Sequence, residues 1–222
     1  MDMFPLWNSL RIAAISSVVV FFSGIFAAYY AARFPRILKG IVDVILTLPL
    51  VLPPTVCGYL LLVIFGNRRP IGMFLAEFGI QFPMTWYGGV LAASVVAFPL
   101  MYRTARGAFE SFDETLAHSG KTLGLSNTFI FWRIRMPICR QGILAGAVLA
   151  FARALGEYGA TAMLVGYTPG RTATISTTVF QLWRTNNESL AFRWVMINLA
   201  ISAAVLLTVN MLERRAKQAV PR

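Results

Sequence analysis

The sequence predicts an all-α polytopic membrane protein, with about five transmembrane helices and short additional helices in one long loop between two of them. Three observations predict it. The 222 residues are 57% hydrophobic and only 13% charged, with mean hydropathy +0.66, whereas a soluble domain averages roughly a quarter charged residues. Apolar runs recur along the chain, near the roughly 20 residues that a spanning helix requires. One further long segment, Ser111 to Pro137, carries Asp113, Glu114, Lys121, Arg133, Arg135 and His118, the single histidine, and cannot be read as a span. Residues 1–222 are expected to form one transmembrane domain, with residues 111–137 as a loop within it.

Each element follows in order. Leu10 to Ala32 is the first apolar run, too long and too weakly basic at its start for a signal peptide, and it ends at Arg33, Arg36 and Lys39. Ile41 to Phe65 is the second, interrupted by Pro49, Pro53 and Pro54. Proline lacks the backbone donor and clashes with the preceding turn, so this span is expected to be kinked or broken near mid-membrane. Broken backbone in lipid is tolerated only against other protein or a water-filled cavity, so the prolines are expected to line a path. Asn67 to Thr85 reads as a loop. Trp86 and Tyr87 follow as interfacial aromatics. The third span runs from about Gly88 to Met101 and continues as helix past Arg103 and Arg106. Pro137 suits the first turn of a fourth helix, where its missing donor is harmless, and that helix is expected over Ile138 to about Leu164. Thr172 to Thr178 reads as a short helix at the membrane face, with its hydroxyls exposed or offered to an oxyanion. The fifth span is Trp194 to Leu212, followed by Arg214, Arg215, Lys217 and Arg222.

Charge sets the orientation. Thirteen Lys and Arg residues fall on one side of this arrangement and six on the other, with Arg153 inside a span. The richer side is expected to be cytoplasmic, which places the N-terminus outside, the C-terminus inside and the 111–137 loop in the cytoplasm. The net charge of +11 is thereby absorbed by topology, and no nucleic-acid partner is expected. Cys57 and Cys139 lie in apolar runs and read as core, as do Met73, Met84, Met101 and Met163. No clustered Cys, His or carboxylate spacing supports a metal site.

Gly120-Lys121-Thr122 resembles the end of a phosphate-binding loop, but that motif needs a glycine five positions earlier, where Thr115 stands. ATP hydrolysis by this chain is therefore not expected, nor is a catalytic residue. Phe112, Leu116, Ser119 and Leu123 recur at helical spacing, with small Ala117, Ser119 and Gly120 alongside. Gly124 is expected to end this helix and Ser126 to cap a second. Two short angled helices make a knob for a groove on another protein, with the small residues letting that protein approach.

The spacing of that knob is similar to the EAA loop of ABC-importer permeases: EAA, three residues, glycine, nine residues, then I-x-L-P. Gly124, Ile134 and Pro137 match; Met136 stands for leucine, and His118-Ser119-Gly120 stands where EAA would, leaving no acid there. Leu48 to Pro54 with Gly58 to Leu62, and Leu149 to Thr161, are similar to the molybdate (ModB) type of these permeases, which have the MetI-like permease fold. The resemblance implies a homodimeric transport subunit of the cell (inner) membrane, translocating molybdate, with tungstate as a second oxyanion, by alternating access. It implies ModC-like ATPase subunits, which would use ATP and magnesium, and an extracytoplasmic ModA-like molybdate-binding protein; no cofactor is expected in this chain. It places ATPase coupling on Glu114, Ala117, His118, Ser119, Gly120, Leu123, Gly124, Ile134 and Pro137. It places the path or gate on Pro49, Pro53, Pro54, Gly58, Arg153, Gly156, Glu157, Gly159 and Thr161. Arg153 and Glu157, four apart on an apolar helix, can pair on one face. Either they lock the helix to its neighbours, or they belong to the wall of an anion path. A sulfate or other oxyanion permease is the alternative, and an ion-gradient-driven carrier a more distant one.

Overall fold

The computed structural model describes residues 2–218, with side chains as far as Leu207. Among these, helices α1 (Phe4–Ala31), α5 (Trp86–Glu110) and α11 (Glu188–Gln218) are long rods, and α8 (Met136–Leu155) is the main part of a fourth. Each passes as a membrane span by length and apolarity. α2 (Arg36–Val51) and α3 (Pro54–Phe65) form a fifth, broken one, bent by 113°. The break has a simple cause. A residue before proline is pushed out of the helical region; Leu52 precedes Pro53, Pro53 precedes Pro54, and both take extended backbone, with ψ of 140° and 136°.

The core is built on α5, which packs chiefly against α1 and α8. Ala93, Ala97, Met101 and Ala105 on α5 and Ala13, Ala28 and Ala31 on α1 are buried, and small side chains let the axes come close. The hydrophobic effect does not draw helices together in lipid; close van der Waals packing does, and interhelical hydrogen bonds add to it. Ser16 donates to the Val90 carbonyl (3.0 Å) and Asn8 to that of Ala173 (2.9 Å). Arg11 stacks on the Trp86 ring at 3.6 Å at that same end.

Five expectations are corrected. The Asn67–Thr85 loop contains a helix, α4 (Pro70–Glu77), started by Pro70 at its first position. The fourth helix does not begin at Pro137. It begins at Asn127 with α7 (Asn127–Ile130) and passes through a π turn, Phe131–Arg135, straight into α8. In that turn Met136 N–H reaches Phe131 O, five residues back. The widened turn carries the helix past Pro137, which can neither donate to the turn before it nor fit tightly against it. Nor does this helix run to Leu164: it stops at Leu155, and α9 (Gly159–Leu164) starts afresh after Gly156. The threonines of 172–178 are not an exposed face. Thr172, Thr174, Thr177 and Thr178 are buried, Thr174 and Thr177 close a reciprocal cap on α10 (Ile175–Arg184), and Ile175 N–H donates to Ser9 on α1 at 2.9 Å. Finally, Met101 is core, but Met73, Met84 and Met163 are exposed. Cys57 and Cys139 are both buried and free. Of the fifth span, the side chains beyond Leu207, including Arg214, Arg215 and Lys217, lie outside the described residues, as does Arg222 altogether.

Candidate functional site: the 111–137 loop and the broken span

The loop is two short helices locked to each other. α6 (Glu114–Thr122) is capped by Asp113, whose carboxylate accepts the Thr115 N–H at 2.9 Å. Hydrogen bonds from Thr115 hold this exposed carboxyl below the usual carboxylate range. At the other end Gly124 takes φ +78°, the left-handed conformation that a side chain opposes. Gly124 N–H bonds Lys121 O and Leu125 N–H bonds Gly120 O, at 2.9 and 3.0 Å, satisfying carbonyls that the helix end would leave open. Ser126 then accepts the Phe129 N–H (3.2 Å), starting α7.

The lock is Arg135. From the π turn it donates to both Glu114 carboxylate oxygens, at 2.8 and 2.7 Å, closing 21 residues of chain. Its own side chain is 5% exposed, lying over the Phe112 ring at 4.3 Å, while the Glu114 side chain is 57% exposed. Gly120 faces Ile130 and Ile134, where an added Cβ would stand 3.2 to 3.5 Å from their side chains. Ala117 and Gly120 are therefore buried, and the small residues serve the approach of α7 and the π turn, not that of a second protein. The outward face carries Leu116, His118, Ser119 and Leu123, the last 78% exposed, and Phe129 and Trp132 are exposed as well. The loop is tied to the spans by Tyr29 of α1, whose ring meets Phe131 at 4.7 Å and Phe109 at 5.7 Å.

The residues expected along the path converge in part. Pro54 packs on Gly159, and Gly58 sits where an added Cβ would be 2.7 Å from the Ala160 carbonyl oxygen. α3 and α9 thus cross at backbone contact, bringing Pro54, Gly58, Gly159 and buried Thr161 into one cluster. Pro49 lies within α2, Pro53 is exposed at the bend and Gly156 is exposed between α8 and α9.

Arg153 and Glu157 are paired, Nη1 to Oε2 at 2.7 Å, but not on one helix face, because α8 ends between them. The second carboxylate oxygen of Glu157 accepts the Ala160 N–H at 2.8 Å, inside the first turn of α9. Glu157 is therefore the joint of the break, with its side chain 2% exposed, and Arg153, at 29%, neutralises it.

Sequence reasoning missed a second set of charges. Arg106 pairs with Asp43 and, at 3.4 Å, with Glu110, which in turn meets Lys39 at 2.5 Å. Asp43 lies inside the second apolar run and was the legible signal: an acid in a span, four residues from Lys39, facing an i,i+4 pair on α5.

The family described as "Binding-protein-dependent transport system inner membrane component" matches residues 21–218. The chain is 43% identical over 222 residues to the "Molybdenum transport system permease protein ModB" of Escherichia coli K12, covering 96% of each. It is 38% identical to the protein of the same name from Haemophilus influenzae, over 95% of this chain and 93% of the other. Among solved structures, a bacterial ABC transporter that imports the acidic polysaccharide alginate superposes with TM-score 0.78 at 17% identity, over 96% of this chain and 79% of that one. An inward-facing MetNI methionine transporter gives 0.73 at 15%, over 96% and 94%. At such identities these two likenesses speak for the fold.

Proposed function

This chain belongs to the binding-protein-dependent transport system inner membrane components, and from that premise we propose that it is the membrane permease of an ATP-driven molybdate importer. The observation that carries the substrate is the 43% identity to a molybdenum permease along nearly the full length of both chains. Tungstate, close to molybdate in charge and shape, is the expected second substrate.

In this reading the chain works as a homodimer in the cytoplasmic membrane, with its N-terminus outside and its C-terminus inside. It supplies the path and the lever. ATP and magnesium are used by a separate ModC-like ATPase, and a ModA-like binding protein delivers the oxyanion from outside. The exposed face of α6, with Leu116, Ser119 and Leu123, enters a groove of the ATPase. The Arg135–Glu114 contact, Nη2 to both carboxylate oxygens, ties the two loop helices into one rigid piece. Helix then continues without a break from Asn127 to Leu155, about 43 Å at 1.5 Å per residue. A push on the loop is therefore delivered to Gly156 and the Glu157 joint, next to the α3–α9 crossing. Movement there switches the path between inward-open and outward-open states. Arg153 attracts the anion, and Glu157 keeps it from being held.

The test is uptake in proteoliposomes carrying the permease with its ATPase and binding protein. ATP-dependent uptake of labelled molybdate, competed by tungstate and not by sulfate, is expected. Sulfate uptake with molybdate excluded would overturn the substrate. Replacing Leu123 with Glu is expected to abolish ATPase assembly, and recovery of intact complexes from that variant would remove the knob from the interface.

A further inference from the structure

Among the described residues, α2 is only shallowly embedded. None of its residues is fully buried, and Ile37, Val44, Ile45 and Val51 are 63 to 81% exposed. One stripe is covered, Lys39, Val42, Asp43 and Leu46, at the spacing of a single helix face. Val42 and Leu46 touch the edge of the main core, and α2 packs chiefly on α5. A contact of this kind, apolar and shallow, resists separation in protein but does little to fix how one helix slides along another.

The charges on that stripe fix it. They form an alternating chain, Asp43, Arg106, Glu110, Lys39, in which α2 supplies the two ends and α5 the middle. Each helix contributes one acid and one base four residues apart, so the set is neutral and can satisfy itself only in one register. A slip of one turn would set Lys39 toward Arg106 or Asp43 toward Glu110, like against like. The four side chains are 18 to 36% exposed, shielded enough for the pairing to count. Tyr102, buried one turn below Arg106, closes the set toward the core. The position is also specific: Glu110 is the last residue of α5, and Glu114, held by Arg135, begins α6.

We propose that Lys39, Asp43, Arg106 and Glu110 are positioning residues for transport, a register lock that makes α2, and with it the Pro53 bend, travel with the coupling loop. The loop would then have two outputs. One runs through the Asn127–Leu155 helix to the Glu157 joint; the other runs through this lock to the opposite wall of the α3–α9 cluster. A partly shielded polar set between two helices suits this role, fixing register more than adding stability, as buried polar groups do.

The inference rests on the importer reading, and the experiment has two arms so that the two can fail separately. In proteoliposomes with the ATPase and binding protein, Asp43→Asn and Glu110→Gln are expected to hydrolyse ATP within about twofold of the parent while oxyanion moved per ATP falls about tenfold. Inverting all four charges together (K39E, D43K, R106E, E110K) is expected to restore the ratio, and the melting temperatures of the single variants separate the lock from mere stabilisation: the ratio is expected to fall in Asp43→Asn and Glu110→Gln without a matching loss of melting temperature, and a loss of coupling that tracks melting would overturn the lock. The second arm uses the chain alone in nanodiscs, with spin labels at positions 37 and 103. The distance distribution is expected to be narrow in the parent and at least twice as broad in Asp43→Asn, and in Lys39→Gln should Asp43→Asn not fold. A distribution that stays narrow, or transport and hydrolysis that fall together, overturns the lock. Absence of ATP-driven uptake in the parent would instead sink the importer reading, leaving the distance measurement to decide the lock.

Discussion

The loop and the broken region behind it use the same parts, an Arg–Glu pair and a glycine at a close crossing, but they bury opposite members. In the loop, Arg135 is hidden and Glu114 stands in water; at the joint, Glu157 is hidden and Arg153 is partly open. Arg135 keeps aromatic faces around it, Phe112 at 4.3 Å and Tyr29 at 5.8 Å, which favour a cation with or without the acid. Glu157 has one N–H and one arginine. Breaking a pair is costly when it strands the buried partner, so the same substitution should hurt the two sites differently.

The largest expected effect is therefore at the joint. Arg153→Gln leaves a buried carboxylate with a single donor and is expected to cost about 3 kcal/mol, at the low end for a broken buried pair because Arg153 is itself partly exposed. Glu157→Gln keeps an oxygen for the Ala160 N–H and strands only the partly open cation, so it should cost less. The double variant should recover part of the Arg153→Gln loss. Melting of the detergent-solubilised protein checks the order, and Glu157→Gln proving the worse would reverse the assignment of the buried partner. Glu114→Gln in the loop is expected to lower stability by about 1 kcal/mol, as for a pair with one partner in water.

The glycines sharpen the same contrast. At Gly58 an added Cβ meets backbone, the Ala160 oxygen at 2.7 Å and its Cα at 2.8 Å, which cannot move without shifting α9. At Gly120 it meets the ends of Ile130 and Ile134 at 3.2 Å and beyond, which can rotate. Gly58→Ala is expected to cost about 2 kcal/mol, in the range for overpacking, and Gly120→Ala less than half of that. Melting temperatures of the two variants test it; equal losses would mean that the loop is packed as tightly as the crossing.

The same contrast decides what was legible in the sequence. The loop could be read because its determinants are local: Gly124 at the turn and Ser126 as a cap both act within a few residues. The spans could be read from apolarity, and the bend from two consecutive prolines. What escaped depended on partners far along the chain. Nothing near Thr172 tells that Ser9 will pair with this segment, or that Ala117 and Gly120 will face Ile130 and Ile134 instead of solvent. The stop at Gly156 escaped for another reason. Gly156 and Gly159 were visible, but helix propensity alone tolerates glycine, and it is the Glu157 carboxylate, bonded to Ala160 N–H, that makes the break the better arrangement. Asp43 stands as the one acid of its apolar run, and Arg106, the partner that gives it meaning, lies on another helix.

The smallest expected effect lies at the cap of α6. The folded Asp113 carboxyl titrates below its usual value because Thr115 donates to the ionised form. A carboxyl depressed on folding adds stability above its unfolded pKa, and that contribution is lost as pH falls through the depressed folded value. The cap should thus be intact at neutral pH and weaken only in acid below about 4, near the ordinary aspartate value. Asp113→Asn keeps a capping oxygen but carries no titrating group, so it should remove the acid dependence while leaving α6 formed. A spin label in place of His118, on the exposed face of α6, reports the change as increased mobility between pH 6 and 3. If the label at 118 loosens equally in Asp113→Asn, the acid response does not come from the Asp113 cap.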